Sequence, residues 1–114
     1  MPELVLEFEV IGRPPVHQPL GIGAPNHRSR REIDRLQAEA RKAMGDRPPL
    51  HGDVEVEIAH KSVGQPADAA NIAKCITDAL EKYVYRDDGQ IVSLRYVRLS
   101  ERERESYAIR VWLH

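Results

Sequence analysis

The chain has 114 residues, and its 17 Lys and Arg against 18 Asp and Glu give a formal net charge of −1. This length predicts one domain with a core that needs no disulfide or metal to hold it. The balanced charge gives no global sign of nucleic-acid binding, and no apolar run approaches a membrane span. With a single cysteine, Cys75, and no signal-peptide pattern, the sequence predicts a protein of the reducing cytoplasm.

The first predicted element is a strand over residues 4–10. Its apolar residues alternate with glutamates, which is the period of a strand with one buried face, and Val5 is the exception. The prolines after Gly12 end the strand, because proline has no amide donor. Residues 16–28 contain four Gly or Pro and no periodicity, which predicts a long irregular loop.

A basic helix follows. The pattern Ser29-x-x-Glu32 has the form of a capping box, so the helix is predicted to begin at Ser29 and to end at Gly45. Its inner stripe is apolar and consists of Ile33, Leu36, Ala40, Ala43 and Met44. The basic outer surface has two interpretations, an exposed helix that pairs with its own carboxylates or a surface that contacts DNA phosphates.

The central helix of the chain comes after a strand predicted over residues 53–59 and a loop over residues 62–67. Its apolar residues recur at steps of three and four, so they face a core. They are Ala69, Ile72, Ala73, Ile76, Ala79, Leu80 and Tyr83. Asn71, Lys74 and Asp78 are expected on the opposite face.

Two further strands are predicted over residues 90–99 and 106–113, and we expect them to form a hairpin. The complete order is β-α-β-α-β-β. This order predicts the α+β class, with residues 1–114 forming a single two-layer domain. Its mixed four-stranded sheet carries both helices packed against it.

Carboxylates stand at both ends of the central helix. Asp68 precedes it, and Asp87 and Asp88 follow about one helix length later, so a chain reversal is expected to bring them beside Asp68. These carboxylate oxygens and the amide of Asn71 would suit a hard divalent cation that acts on phosphate. The Lys74 ammonium would meet the charge that develops on that phosphate. Each also has a structural alternative, as a helix cap for Asp68 or a turn for the paired aspartates.

The order of these residues resembles the RusA family of Holliday-junction resolvases, which are crossover junction endodeoxyribonucleases. The family pattern is Asp-x-Asp-Asn-x-x-Lys-x-x-x-Asp-Ala-Leu, followed by Asp-Asp-x-Gln-Ile at the head of a strand. Residues from Asp68 to Ile91 match it except at one position. Ala70 stands where the family has its second aspartate, which is one of its metal-binding carboxylates.

The resemblance implies a homodimeric, Mg²⁺-dependent nuclease of DNA recombination and repair, with Mn²⁺ as a substitute, that nicks four-way junctions in pairs. The implied catalytic residues are Asp68, Asn71, Lys74 and Asp88. The implied metal ligands are Asp68, Asp87 and Asp88, with Asp78 as a supporting carboxylate outside them. DNA contacts are expected from basic residues, namely Arg28, Arg30, Arg31, Arg35, Lys61 and Arg86. No membrane partner is expected.

Ala70 leaves a rival interpretation open, which is a protein of the same fold that binds DNA without cutting it. Loss of one carboxylate removes a charge and an oxygen ligand that Mg²⁺ replaces with water at some loss of affinity. A third interpretation, a domain without any nucleic-acid role, would follow if the basic patches faced different directions.

Overall fold

The structure is a computed structural model that describes residues 1–16, 27–64 and 68–114. Its elements are, in order, β1 (Glu3–Ile11), α1 (His27–Met44), β2 (Val54–Val63), α2 (Ala69–Leu80), a 3₁₀ turn (Asp88–Gln90), β3 (Ile91–Glu101) and β4 (Ser106–Leu113). The α+β class, the mixed four-stranded sheet and the two packed helices are as predicted.

The strands are arranged in the order β1-β4-β2-β3. β4 is antiparallel to both β1 and β2, and β2 and β3 are parallel. The predicted hairpin between the last two strands is therefore wrong. β4 carries the buried side chains of Tyr107, Ile109 and Val111, which require neighbours on both sides, whereas β3 is largely exposed and lies at the edge.

Val5 breaks the alternation of β1 because the register with β4 shifts between Leu4 and Leu6, which marks a β-bulge. Arg47 reaches this point from the segment after α1. Its guanidinium donates to the carbonyl of Val5 at 2.8 Å and to that of Met44 at 3.2 Å. The bulged edge of the sheet is thereby tied to the C-terminal end of α1.

The start of α1 differs from the prediction. The helix begins at His27, so Ser29 lies within its first turn, and the predicted capping box at Ser29 is wrong. No Gly or Pro occurs between residues 27 and 44, so nothing in that stretch opposes two more helical residues. The end agrees with the prediction, since Gly45 has a φ of 61° and its amide donates to Arg41 at 3.0 Å.

The core lies between the two helices and one face of the sheet. The helices contribute Leu36, Ile72, Ile76 and Leu80, and the strands contribute Val54, Val56, Ile58, Ile109 and Val111. The amide of Gln37 donates to the carbonyl of Ala79 at 3.1 Å and joins α1 to α2. The outer sheet face carries a row of charges, because Glu57 lies between Arg95 and Arg110.

His60 is buried within β2 and connects three elements. Its Nδ1 lies 2.6 Å from the Tyr96 hydroxyl of β3, and its Nε2 lies 2.7 Å from a Glu105 carboxylate oxygen before β4. Both ring nitrogens are therefore hydrogen-bonded within the fold. This residue stabilises the end of the sheet at which β2 finishes.

Candidate metal and DNA site

A 3₁₀ turn between α2 and β3 carries the two adjacent aspartates. Asp87 caps this turn, since its carboxylate accepts the amide of Gly89 at 2.8 Å. Gln90 closes the capping box by accepting the Asp87 amide at 3.0 Å. The Gln90 side chain also donates to the carbonyl of Leu50 at 2.9 Å. The turn is thus anchored to the segment before β2, which fixes where the aspartates lie.

Glu81 joins the paired aspartates in one group. It is the C-cap of α2, and its Oε1 accepts the backbone amide of Asp88 at 3.0 Å. One oxygen from each of Glu81, Asp87 and Asp88, here called the three-acid cluster, lies within 4.8 Å of the others. The sequence analysis missed Glu81 because the family pattern does not contain it. The one feature of the sequence that could have indicated Glu81 as a site residue is its position three residues after Asp78, which is a helical spacing.

The two aspartates of the cluster have opposite pKa shifts. The backbone amide of Gly89, followed by the Asp88 side chain, lowers the pKa of Asp87 by hydrogen bonding. The pKa of Asp88 is raised, first by its hydrogen bond with Asp87 and further by the nearby charges of Glu81 and Asp78. The turn therefore concentrates negative charge, which a bound cation would relieve.

Asp68 is the N-cap of α2, where its Oδ1 accepts the amide of Ala70 at 2.9 Å. The helix-cap role that the sequence analysis gave as the structural alternative for Asp68 is thereby confirmed. Asp68 and Glu81 flank a helix of 12 residues, which separates them by about 18 Å. The expected approach of Asp87 and Asp88 to Asp68 does not occur within one chain, because α2 carries the chain from one end of the sheet to the other.

Between these ends, α2 presents its polar face. The Lys74 ammonium lies 3.4 Å from a carboxylate oxygen of Asp78, with both side chains exposed. This is the structural pairing that helical spacing predicts for the two residues. Asn71 is half-buried one turn before Lys74. The residues with implied catalytic roles therefore extend along the helix from Asp68 toward the three-acid cluster.

Part of the predicted DNA surface lies at the Asp68 end of the sheet. Arg35 donates to the carbonyl of Ile11 at 3.4 Å, which places it where β1 ends. In the sheet, Ile11 is opposite Ser106, and Ser106 is opposite Lys61, so Lys61 belongs to the same end. Exposed cations therefore lie at the end of the molecule where α2 begins.

The remaining predicted DNA contacts are less concentrated. Arg30 lies 3.8 Å from Asp34 and Arg31 is exposed, both on the first turns of α1. Arg86 is exposed at the opposite end, beside the three-acid cluster. The side chain of Arg28 lies outside the described part of the structure. The basic residues thus flank both ends of α2.

Comparison with protein families matches residues 25–111 to the family described as endodeoxyribonuclease RusA. The chain belongs to the RusA family. The matched residues include both helices, the three-acid cluster and Asp68. RusA enzymes act on Holliday junctions and require a divalent metal. No curated protein sequence matches the chain. Within the described ranges, no helix is both long and apolar enough to cross a membrane.

The three-acid cluster fits the metal that RusA enzymes require. Its donors are all carboxylate oxygens, which Mg²⁺ prefers. Because Mg²⁺–oxygen bonds are about 2.1 Å long, ligands on opposite sides of the ion are about 4.2 Å apart. The oxygens of Glu81, Asp87 and Asp88 already lie within 4.8 Å of one another, so small side-chain rotations would suffice. Both aspartates are exposed and have room for those rotations.

Proposed function

We propose that residues 1–114 form one cytoplasmic endonuclease domain that resolves four-way DNA junctions by metal-dependent, paired nicking. The single observation that carries this proposal is the RusA match over a segment in which Glu81, Asp87 and Asp88 bring three carboxylates within 4.8 Å. The exposed cations around α2 support the proposed DNA contact, because phosphate binding needs accessible Lys and Arg side chains.

In this proposal Asp87 and Asp88 would hold Mg²⁺, or Mn²⁺ in its place, and Glu81 would add a third oxygen. When bound, such an ion would supply Lewis-acid chemistry that activates water and neutralises charge on the phosphate. The Lys74 ammonium binds the phosphate oxygens, exchanging its exposed pairing with Asp78 for the DNA. Asn71 orients the phosphate or the attacking water by hydrogen bonding. Asp78 remains one helical turn from Lys74 as a nearby carboxylate that helps to position it.

Asp68 has a place in this mechanism only if two chains cooperate. The length of α2 keeps Asp68 and Asp88 too far apart for both to bind one ion from the same chain. A homodimer in which Asp68 of one copy approaches the cluster of the other resolves this difficulty. Two-fold symmetry would then provide two equal sites, which suits paired nicks across a junction.

A second candidate function is junction binding without cutting. Ala70 favours it, because this exposed residue beside Asp68 offers no oxygen where the family has an aspartate. A site with fewer carboxylates retains more water on Mg²⁺ and binds it less tightly. The position of Glu81 argues against this alternative, since its carboxylate supplies an oxygen donor to the cluster in place of the one that Ala70 lacks.

The test uses an end-labelled four-way junction and a linear duplex of the same sequence, each incubated with Mg²⁺, Mn²⁺ or EDTA. Binding is scored on native gels and nicking on denaturing gels. The nuclease proposal expects preferential, salt-sensitive binding of the junction and nicks only with metal. Junction binding without nicks in either metal would support the second candidate. Equal binding of junction and duplex, without nicks, would reject both.

A further inference from the structure

Three hydrogen-bonded side chains, Glu105, His60 and Tyr96, cross the end of the sheet at which β2 finishes and are here called the polar network. The buried imidazole of His60 is its centre, 2.7 Å from the Glu105 carboxylate and 2.6 Å from the Tyr96 hydroxyl. The same hydroxyl accepts a hydrogen bond from Nε of Arg98 at 3.2 Å. The polar network therefore links the interior of the sheet to an exposed arginine on its edge strand, β3.

Donor and acceptor chemistry gives the polar network one direction when the imidazole is neutral. A carboxylate only accepts, so Nε2 of His60 carries the proton that is donated to Glu105. Nδ1 then accepts the Tyr96 hydroxyl, whose oxygen keeps a lone pair for the Nε–H of Arg98. The phenol proton is thus turned toward His60, and the phenol oxygen is left to hold the guanidinium.

Both ends of the polar network are fixed by neighbouring structure. The backbone carbonyl of Glu105 accepts the amide of Gly12 at 2.8 Å, which ties this end to the residue after β1. At the other end, the Arg98 guanidinium lies 5.3 Å from the centre of the Tyr96 ring in a cation–π contact. Arg98 is therefore held by two contacts with one tyrosine. An arginine that is fixed before it meets a ligand loses less rotamer freedom on binding.

Alternation along β3 places Arg98 on the helix side of the sheet. Arg98 is opposite His60 in the register of β2 and β3, and His60 belongs to the buried face of β2. Arg95 is on the other face, where it lies 3.8 Å from Glu57. Asp68 follows β2 at the end of the sheet where β3 also finishes, so Arg98 and the start of α2 lie at the same end.

We propose that Arg98 binds a phosphate of the DNA near the start of α2 and that the polar network positions its guanidinium. This inference deepens the proposed function and rests on it. A planar guanidinium suits the role because it donates two parallel hydrogen bonds to phosphate oxygens. DNA that follows the polar face of α2 from Lys74 toward Asp68 would reach the end of the sheet where Arg98 and Lys61 add positive charge.

A purely structural role accounts for less of this arrangement. A buried polar group must be hydrogen-bonded to offset its desolvation, whereas an apolar side chain at position 60 would need no such partners. The polar network also extends beyond the core, because it ends at the exposed side chain of Arg98. Its organisation therefore matches the positioning of a surface cation.

Fluorescence anisotropy of a labelled four-way junction in EDTA tests the Arg98 contact without the metal. Arg98→Gln should raise the dissociation constant about tenfold and reduce the slope of log affinity against log salt by about one, because one phosphate contact is lost. The matched control is Arg95→Gln, which removes an arginine of the same strand from the other face and should leave the constant within about twofold. Equal effects of the two substitutions, or no effect of Arg98→Gln, would overturn the proposal.

Tyr96→Phe tests the positioning role, because phenylalanine keeps the ring and removes the hydroxyl that accepts Arg98. The guanidinium remains, so the salt slope should keep its wild-type value while the dissociation constant rises about threefold. In the Arg98→Gln background the same substitution should have no further effect, since the two residues would act as one unit. Additive effects of the two substitutions would confine the polar network to a structural role.

Nitrogen NMR of the wild-type chain at pH 8 examines the polar network without any substitution. We expect the imidazole of His60 to carry its proton on Nε2, with Nδ1 as the acceptor of the Tyr96 hydroxyl. A proton on Nδ1 and an unprotonated Nε2 would overturn the direction of hydrogen bonding on which the positioning of Arg98 depends.

Failure of this inference and failure of the nuclease function remain distinguishable. If wild type nicks the junction and Arg98→Gln binds it as tightly as wild type, the Arg98 contact is wrong and the proposed function stands. If wild type binds the junction without nicking it, and Arg98→Gln binds it more weakly, the Arg98 contact stands and the proposed nuclease function is wrong.

Discussion

The backbone amide of Asp88 donates a hydrogen bond to Oε1 of Glu81 at 3.0 Å. This contact couples the end of α2 to the turn that enters β3, and it sets a third carboxylate beside the paired aspartates. Glu81 therefore gives the chain an oxygen donor close to Asp88, although the position of the second family aspartate is occupied by Ala70.

The first prediction concerns Glu81→Gln. Glutamine retains an oxygen that accepts the Asp88 amide, so the turn should persist, whereas the charge that attracts the cation is lost. We expect Mn²⁺ affinity to fall about tenfold, measured by electron paramagnetic resonance of free Mn²⁺.

The matched control for Glu81 is Glu39→Gln, because Glu39 is a half-buried helical glutamate that lies 3.4 Å from Lys42. It should not change Mn²⁺ affinity. Equal affinities of wild type and Glu81→Gln would show that Glu81 serves only as a helix cap.

A second prediction separates the two roles of Asp68. Asn and Asp cap helices about equally well, so Asp68→Asn should unfold at nearly the wild-type denaturant concentration, and Asp68→Ala should lose about 1 kcal/mol of stability. Both variants should nick the junction much more slowly if the carboxylate acts on metal. Full nicking activity in Asp68→Asn, with unchanged metal affinity, would confine the residue to its capping role.

The third prediction is a gain of function. Ala70→Asp places a carboxylate two residues after Asp68, in the exposed first turn of α2. Mg²⁺ affinity and nicking rate should rise together, while DNA binding should change little or fall slightly. Without metal, the added charge beside Asp68 introduces repulsion. Metal should therefore raise the melting temperature more in this variant than in wild type.

Ala38→Asp is the control for that gain, because Ala38 is an exposed alanine on α1. It adds the same charge without a neighbouring ligand. An increase in nicking by both variants, or by neither, would contradict a ligand-deficient site at residue 70.

The fourth prediction uses Cys75, which is 3% exposed. Burial, followed by the charges of Asp78 and Glu32, raises the pKa of its thiol from 9.0 to about 11. Ellman's reagent at pH 8 should therefore react with the native chain far more slowly than with the chain unfolded in guanidinium chloride.

The same shift predicts a loss of stability at high pH. The unfolded thiol ionises before the native one, so this contribution is complete below pH 9 and is lost as pH rises through about 11. Cys75→Ala should show a smaller decrease in stability over that interval. Equal labelling of native and unfolded wild type would show that the thiol is accessible.

Local patterns in the sequence predicted most of the elements, because strand alternation and helical spacing depend on nearby residues. They did not predict that β4 lies between β1 and β2, since alternation identifies a buried face but not the neighbouring strands. The paired aspartates were recognised from a linear pattern. The length and direction of α2 bring the paired aspartates close to Glu81 and keep them away from Asp68. A linear pattern of residues does not contain this three-dimensional information.

The start of α1 shows a related difficulty. Ser29-x-x-Glu32 satisfies the capping pattern, yet the backbone is helical two residues earlier, at His27. A capping box describes a favourable start and does not prevent the helix from extending when the preceding residues tolerate it. Helix boundaries are therefore less predictable than the buried stripe, which placed Leu36, Ala40 and Met44 in the core as expected.

The most direct measurement of the central claim compares wild type with Asp88→Asn on a labelled four-way junction in Mg²⁺, with binding and nicking followed in the same sample. Wild type should nick two opposite strands at symmetric positions. Asp88→Asn should bind the junction within about twofold of wild type and nick about a hundredfold more slowly or not at all. Metal-dependent nicking by Asp88→Asn at the wild-type rate would contradict a catalytic metal site at the three-acid cluster.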